Sequence, residues 1–554
     1  MAHGRHLSKV VTPQSTSYLG PFGRICGDLS PWIPRDKDCR PIREEKIDEA
    51  FLKFANEHMV ERPGLEPADL FSEDTIKELN AEFSTGKTDD PSTGIPAAYT
   101  YFGQFVDHDI TFDPASSLSR QNDPDSLLNF RTPRLDLDNL YGRGPHDQPY
   151  MFGVLGDKAE RKLRKKLGAF SFVIGKVTRG FKRDSGGSPE LEAKGNPKIV
   201  NVNSDFEDLP RCDNGSAVIG DMRNDENAIV SQMQLAFLKA HNTLLERALE
   251  AGSCTPFEDA RRTLRWLYQW IVWHDFVRRI TSAHAGLRAK ALHMKSHPAG
   301  GKTWELGLGH VYRWKHHPFM PVEFAAAAYR FGHSMVRNAY QTNLVRGFNV
   351  HAPLFDGSED GAGDLRGFRK LIKENVIQWD WFLPMKGQHK DFPQRARRID
   401  TKLANALSNL AGESKPMNVL AYRNLKRGWA FGLPKGSDVA RKFTCDNGME
   451  LNPDEPESLW YYILKEAETQ GKNGESLGPL GTTMICAVFA GLLKGDPASW
   501  VNVHPCWRPE SEPLLQAGKD NIDSKDETDP DHQWQLASII RLAGVPSTGK
   551  DFVK

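Results

Sequence analysis

The stretch Ile95-Pro96-Ala97-Ala98-Tyr99-Thr100-Tyr101-Phe102-Gly103-Gln104-Phe105-Val106-Asp107-His108-Asp109-Ile110-Thr111-Phe112 decides how the rest of the chain is read. Pro96 marks a helix start and Asp113-Pro114 a stop, so a helix is predicted between them. Gln104 and His108 lie four residues apart and share one face of it. Taken alone this histidine says little, because the chain holds 18 histidines and most must be structural or exposed.

Working outward, apolar residues recur at helical spacing over Glu226–Gly252 and Pro256–Ile280, predicting two long consecutive helices. Further helical patterns cover Glu44–His58, Glu73–Glu82, Val322–Tyr340, Arg398–Ala411, Glu457–Thr469 and Pro479–Lys494. Few segments alternate as strands do, so the class is mainly α, with few short strands. The run Lys158–Lys166 reads as a solvated helix face. A single large domain over 95–500 is expected, with an N-terminal wrapping extension at 1–94 and a C-terminal extension at 501–554.

The balance of 72 Lys+Arg against 72 Asp+Glu gives no electrostatic case for nucleic acid, so small-molecule partners are expected. The start of the chain shows no apolar signal segment, which points to a cytoplasmic or non-classically exported protein. The apolar stretch Thr482–Leu493 is far short of the roughly 20 residues a spanning helix needs and reads as core. Seven cysteines without close pairs read mostly as free thiols.

Four motifs in order complete the picture. The first is Gly103-Gln104-Phe105-Val106-Asp107-His108-Asp109, and the second Thr132-Pro133-Arg134-Leu135-Asp136-Leu137-Asp138-Asn139-Leu140-Tyr141-Gly142. The third is Gly220-Asp221-Met222-Arg223-Asn224-Asp225-Glu226-Asn227, which opens the first long helix, and the fourth is Tyr329-Arg330-Phe331-Gly332-His333-Ser334-Met335. Together they resemble the animal-type haem peroxidases of the peroxidase-cyclooxygenase superfamily over about residues 95–500.

The resemblance implies haem b, with His333 as proximal iron ligand, His108 as distal acid-base residue and Arg223 as distal cation. It implies that Gln104 bonds a distal water or halide, and that Asp107 and Glu226 are the two carboxylates able to form ester links to haem. Asn424, in Asn424-Leu425-Lys426-Arg427, is the expected partner of His333, while Arg427 is expected at a propionate and Arg330 beside the haem. Structural calcium would be held by Asp109, Thr132, the Arg134 carbonyl, Asp136 and Asp138, hard oxygens of the kind calcium takes. Asp138 replaces the family's more usual serine, and Gly428-Trp429-Ala430-Phe431 departs from its usual Ser-Arg-Asp-His.

The implied activity is reduction of hydrogen peroxide through a ferryl intermediate with oxidation of small organic donors or halides, as in a response to oxidative stress. The nearest alternative is a fatty-acid oxygenase of the cyclooxygenase or α-dioxygenase kind, whose radical tyrosine lies three residues before the proximal histidine. Here Arg330 holds that place, and Tyr329 on a regular helix would point about 100° away. A catalytically silent haem- and calcium-binding scaffold is the other alternative. The oligomeric state is not legible.

Overall fold

A computed structural model describes residues 20–63, 92–112, 128–154, 156–192, 197–298, 300–355, 363–385, 392–410, 412–444, 448–516, 519–520 and 534–552. The expected helix over Glu73–Glu82 and the stop at Asp113-Pro114 lie outside them. The main helices are α1 (Ile47–His58), α2 (Ala98–Ile110), α3 (Ala228–Glu250), α4 (Pro256–Ile271), α5 (Leu420–Ala430), α6 (Leu459–Gln470), α7 (Pro479–Gly495) and α8 (Leu536–Ala543). Among the described residues strands pair only two by two, so the class is mainly α, as expected.

One apolar core runs from Phe22 to Phe552, so both expected extensions and the segment between them contribute side chains to it. Within it α7 is buried from Leu480 to Leu493, as a helix apolar all round belongs inside a large core. No helix among the described residues is long and apolar enough to cross a membrane. The run Lys158–Lys166 is a helix with no buried residue. Six of the cysteines are free thiols, and Cys445 lies outside the described residues.

The decisive stretch folds as α2, buried on nearly every side except at Gly103 and Asp107. Its first turn has no side-chain cap; instead Ala97 N–H donates to the Gln394 carbonyl and Ala98 N–H to that of Phe382. The strand Ser92–Pro96 pairs antiparallel with Arg395–Arg397 and sets this entry. The next long helix, α3, is capped by the Asn227 side chain, which accepts from Val230 N–H at 2.9 Å, a bond that satisfies one of the orphan donors of a helix start.

Two helical expectations are corrected. Over Val322–Tyr340 the α-helix ends at Ala326, because Ala327 (φ −134°, ψ −69°) leaves the helical region. A 3₁₀ turn then covers Ala328–His333, and Ala339–Gln341 is a strand paired with His351–Pro353. Over Arg398–Ala411, among the described residues, only Asn405–Ser408 is helical. There the backbone bonds distant chain instead: Ile399 N–H donates to Gly474 and Leu403 N–H to Met59. Long-range partners replaced the local ladder that the periodicity implied.

Candidate active site

His108 is fully buried on α2. Asn224 Nδ2 donates to Gln234 Oε1 at 2.8 Å, which turns Asn224 Oδ1 toward His108 Nδ1 at 2.7 Å. That orientation assigns the ring proton to Nδ1, so Nε2 presents a lone pair. Nε2 is buried with no hydrogen-bond partner among the described residues. Burial first, then the Arg223 guanidinium, push the imidazole down to about 3, so the ring is neutral and basic at Nε2 at neutral pH.

Gln104, one turn earlier, is held at both ends. Its Nε2 donates to Glu226 Oε2 at 3.0 Å, and its Oε1 accepts from Asn227 Nδ2 at 3.2 Å. One N–H and one lone pair of its amide are thus taken by the start of α3. Glu226 Oε1 is left buried without a partner among the described residues, and burial above all raises this carboxyl to about 7. Asp107 accepts from the Thr111 hydroxyl at 2.8 Å.

Arg223 is almost fully buried, over the Phe112 ring at 4.3 Å. Its Nη2 donates to the His108 carbonyl at 3.0 Å and to Asp221 Oδ2 at 2.6 Å. Asp221 also takes Nε of Arg131 at 3.1 Å, and Arg131 Nη1 stands 3.3 Å from Asp138 Oδ1. Neither Arg131 nor Asp221 was singled out as functional from the sequence. Arg131 immediately precedes the second motif and Asp221 lies within the third, but only the fold shows that they join.

Carboxylate oxygens of Asp109, Asp136 and Asp138 converge within 4.8 Å of one another. Asp109 Oδ1 is buried with no hydrogen-bond partner among the described residues, and its Oδ2 accepts from Tyr268 OH at 3.0 Å. Burial above all raises all three acids above the usual carboxylate range, helped by Asp136 and Asp138 at Asp109, by Asp496 at Asp136 and by Asp136 at Asp138. Leu137 takes a left-handed backbone (φ 60°), which helps bring Asp136 and Asp138 round to Asp109. The Thr132 hydroxyl donates to Asp136 at 3.0 Å, and Arg134 lies in the same loop.

On the opposite wall the 3₁₀ turn, with three residues per turn, sets Arg330 and His333 in register. Burial first, with Arg330, Arg427 and Arg423 also contributing, holds His333 well below the ordinary histidine value. Asn424, on α5, meets His333 Nδ1 at 2.8 Å through its Nδ2. The partner is the expected one but the direction is reversed: the amide donates and the ring nitrogen accepts. Amide oxygen and nitrogen are nearly isosteric, so a half-turn of the Asn424 amide exchanges the roles.

A cavity of about 30 Å³ is lined by Gln104 and Asp107 from α2 and by Arg330 and His333 from the facing turn. A second, also about 30 Å³, shares Arg330 and adds Arg223, Phe112, Arg427 and Phe431. A third, of about 130 Å³, shares Gln104 and is walled by Glu226, Leu354, Phe355, Phe368, Leu407 and Leu410. His108 lines none of the three. Phe431, in the stretch that departs from the family pattern, is a wall residue. Tyr329 corrects the sequence argument: in the 3₁₀ turn its ring lines the first cavity with His333, and its hydroxyl donates to the Gly103 carbonyl at 3.2 Å.

Residues 156–359 match the family model of the animal haem peroxidases. A "Peroxidase-like protein" from Margaritifera margaritifera is 26% identical over 375 residues, 60% of this chain and 44% of that protein. The match therefore spans less than half of the curated relative's length. Among solved structures, peroxidase A from Dictyostelium discoideum superimposes with a TM-score of 0.52 at 15% identity, covering 89% of this chain and 91% of that one. A fatty acid alpha-dioxygenase from Oryza sativa gives 0.46 at 13% identity, covering 98% and 85%.

Proposed function

On the premise that this chain carries an animal haem peroxidase domain, we propose that it is a haem peroxidase that reduces hydrogen peroxide and oxidises a small organic or halide donor. One observation carries the reading: a single cavity has Gln104 and Asp107 of the histidine-bearing helix on one side and His333 on the other. The residues present fit a haem. His333 is neutral and meets Asn424, and a half-turn of that amide lets Nδ1–H donate to it and frees Nε2 for an axial bond. Arg330 and Arg427 are cations beside the cavities, suited to propionates. Asp107 and Glu226 are the carboxylates for ester links.

Haem, when bound, supplies the redox chemistry with peroxide. The chain's part is to move a proton: His108 Nε2 takes it from the near oxygen of peroxide and returns it to the departing one. Arg223, fixed by Asp221 against the back of α2, supplies positive charge near the bond that breaks. Asp109, Asp136 and Asp138 fit a structural calcium ion, which would tie α2 to the loop and hold His108 in place.

The test is an optical titration of the full chain with haemin, followed by a donor assay. Wild type should bind one haem and turn over peroxide with guaiacol or bromide; His333→Ala should not retain haem. Haem binding without turnover would favour a silent scaffold. One observation keeps the oxygenase in view: Tyr329 shares the cavity with His333, and an apolar cavity adjoins it. Oxygen uptake with a long-chain fatty acid and no added reductant would replace the peroxidase reading with that one.

A further inference from the structure

The buried charges around Asp138 do not stop at the cation cluster. Asp138, Arg131, Asp221 and Arg223 form an unbroken acid-base string, and all four are at most 6% exposed. Two guanidinium groups grip the one carboxylate of Asp221: Arg131 through Nε at 3.1 Å and a closer Nη2 contact, Arg223 through Nη2 at 2.6 Å and Nε at 3.1 Å. Arg223 then holds the carbonyl of His108. At the other end Arg131 stands 3.3 Å from Asp138 Oδ1, without an aligned hydrogen bond to it.

Arg131 therefore divides its charge between two acids, one of them a cation ligand in the reading above. Asp138 Oδ1 lacks an aligned hydrogen bond, and so does Oδ1 of the fully buried Asp109, whose carboxylate belongs to the same cluster. A cation on Asp138 repels Arg131 and drives it onto Asp221. Conversely, a firmer hold of Asp221 on Arg131 clears Asp138 for the cation.

We propose that Arg131 and Asp221 are positioning residues that couple occupancy of the Asp109–Asp136–Asp138 cation site to the setting of Arg223 behind His108. Arg131 competes with the cation for Asp138, and Arg223 competes with Arg131 for Asp221. Coupling of this kind is reciprocal, so a change at Arg223 is read as a change in cation affinity. The inference rests on the cation reading of the three-carboxylate cluster.

The test is calorimetric titration of the chelator-stripped full-length protein with calcium, with circular dichroism as the check on folding. Arg131→Met removes the competitor and should tighten calcium binding about fivefold or more, within the usual span of coupling between sites; a merely structural arginine would weaken it. Arg223→Lys keeps the charge but loses the forked grip, so Arg131 shifts to Asp221 and calcium again binds more tightly. Simple through-space charge predicts no change for that variant. Asp221→Asn should weaken calcium binding, because Arg131 then turns fully to Asp138. Unchanged or weaker binding in folded Arg131→Met and Arg223→Lys overturns the coupling while leaving the cation site standing. A wild type that binds no calcium overturns both.

Discussion

The two histidines of the site are held in different ways. His108 is oriented by Asn224, which is itself oriented by Gln234. His333 is oriented by Asn424, whose amide makes no other side-chain hydrogen bond among the described residues. A chain of two amides orients His108 with its proton on Nδ1. A single amide leaves the tautomer of His333 to be set by the group that takes its Nε2. The difference teaches that the base is preset by the protein, whereas the ligand is completed by what it ligates.

The largest effect should come from breaking the ligand side. His333→Ala is expected to abolish stoichiometric haem retention, measured by the absorbance of the purified protein, while His108→Ala retains it. Next, His108→Ala should slow the reaction with peroxide by about 10²- to 10⁴-fold, the usual cost of losing a positioned acid-base group. Stopped-flow mixing measures it, and a rate near wild type would leave the proton-transfer role without support. Gln234→Leu sharpens the comparison: with Asn224 free to turn, the peroxide rate should fall while haem affinity is unchanged. Asn424→Leu should do the opposite, loosening haem and shifting its reduction potential.

A smaller effect is expected from Glu226. Its carboxyl is raised to about 7 by burial, so in the haem-free fold it binds a proton that the unfolded chain releases near its ordinary value. Stability then falls as pH rises from about 4.5 to about 7, because the native state binds more protons over that window. Glu226→Gln should flatten this slope in pH-resolved thermal melts; an unaltered slope would locate the titration elsewhere. The smallest effect belongs to Tyr329→Phe, which loses one hydrogen bond to Gly103, about 1 kcal/mol of stability, and should leave peroxide turnover unchanged. Loss of turnover would give the tyrosine a chemical role.

The long helices were legible because their apolar periodicity is unbroken: α2, α3 and α7 lie within a few residues of where the pattern put them. The turn bearing His333 was not, since the break at Ala327 leaves no mark in the apolar periodicity. The same miss misplaced Tyr329, whose direction was argued from a regular helix. Asp109, Asp136 and Asp138 were named together from the motifs, and the fold brings them together. Arg131, beside one motif, and Asp221, inside another, escaped notice because single charges look like surface residues until the fold buries them. Gln104 was placed on the correct face, but its partners on α3 were not foreseeable from spacing along one helix.

The preset base is tested most directly by the optical spectrum of the haem-loaded protein, wild type and His108→Ala, before and after one equivalent of hydrogen peroxide. The account predicts a rapid change of the haem bands in wild type and a starting spectrum that is retained for far longer in the variant, with equal haem content in both. An equally rapid change in the two proteins would contradict it.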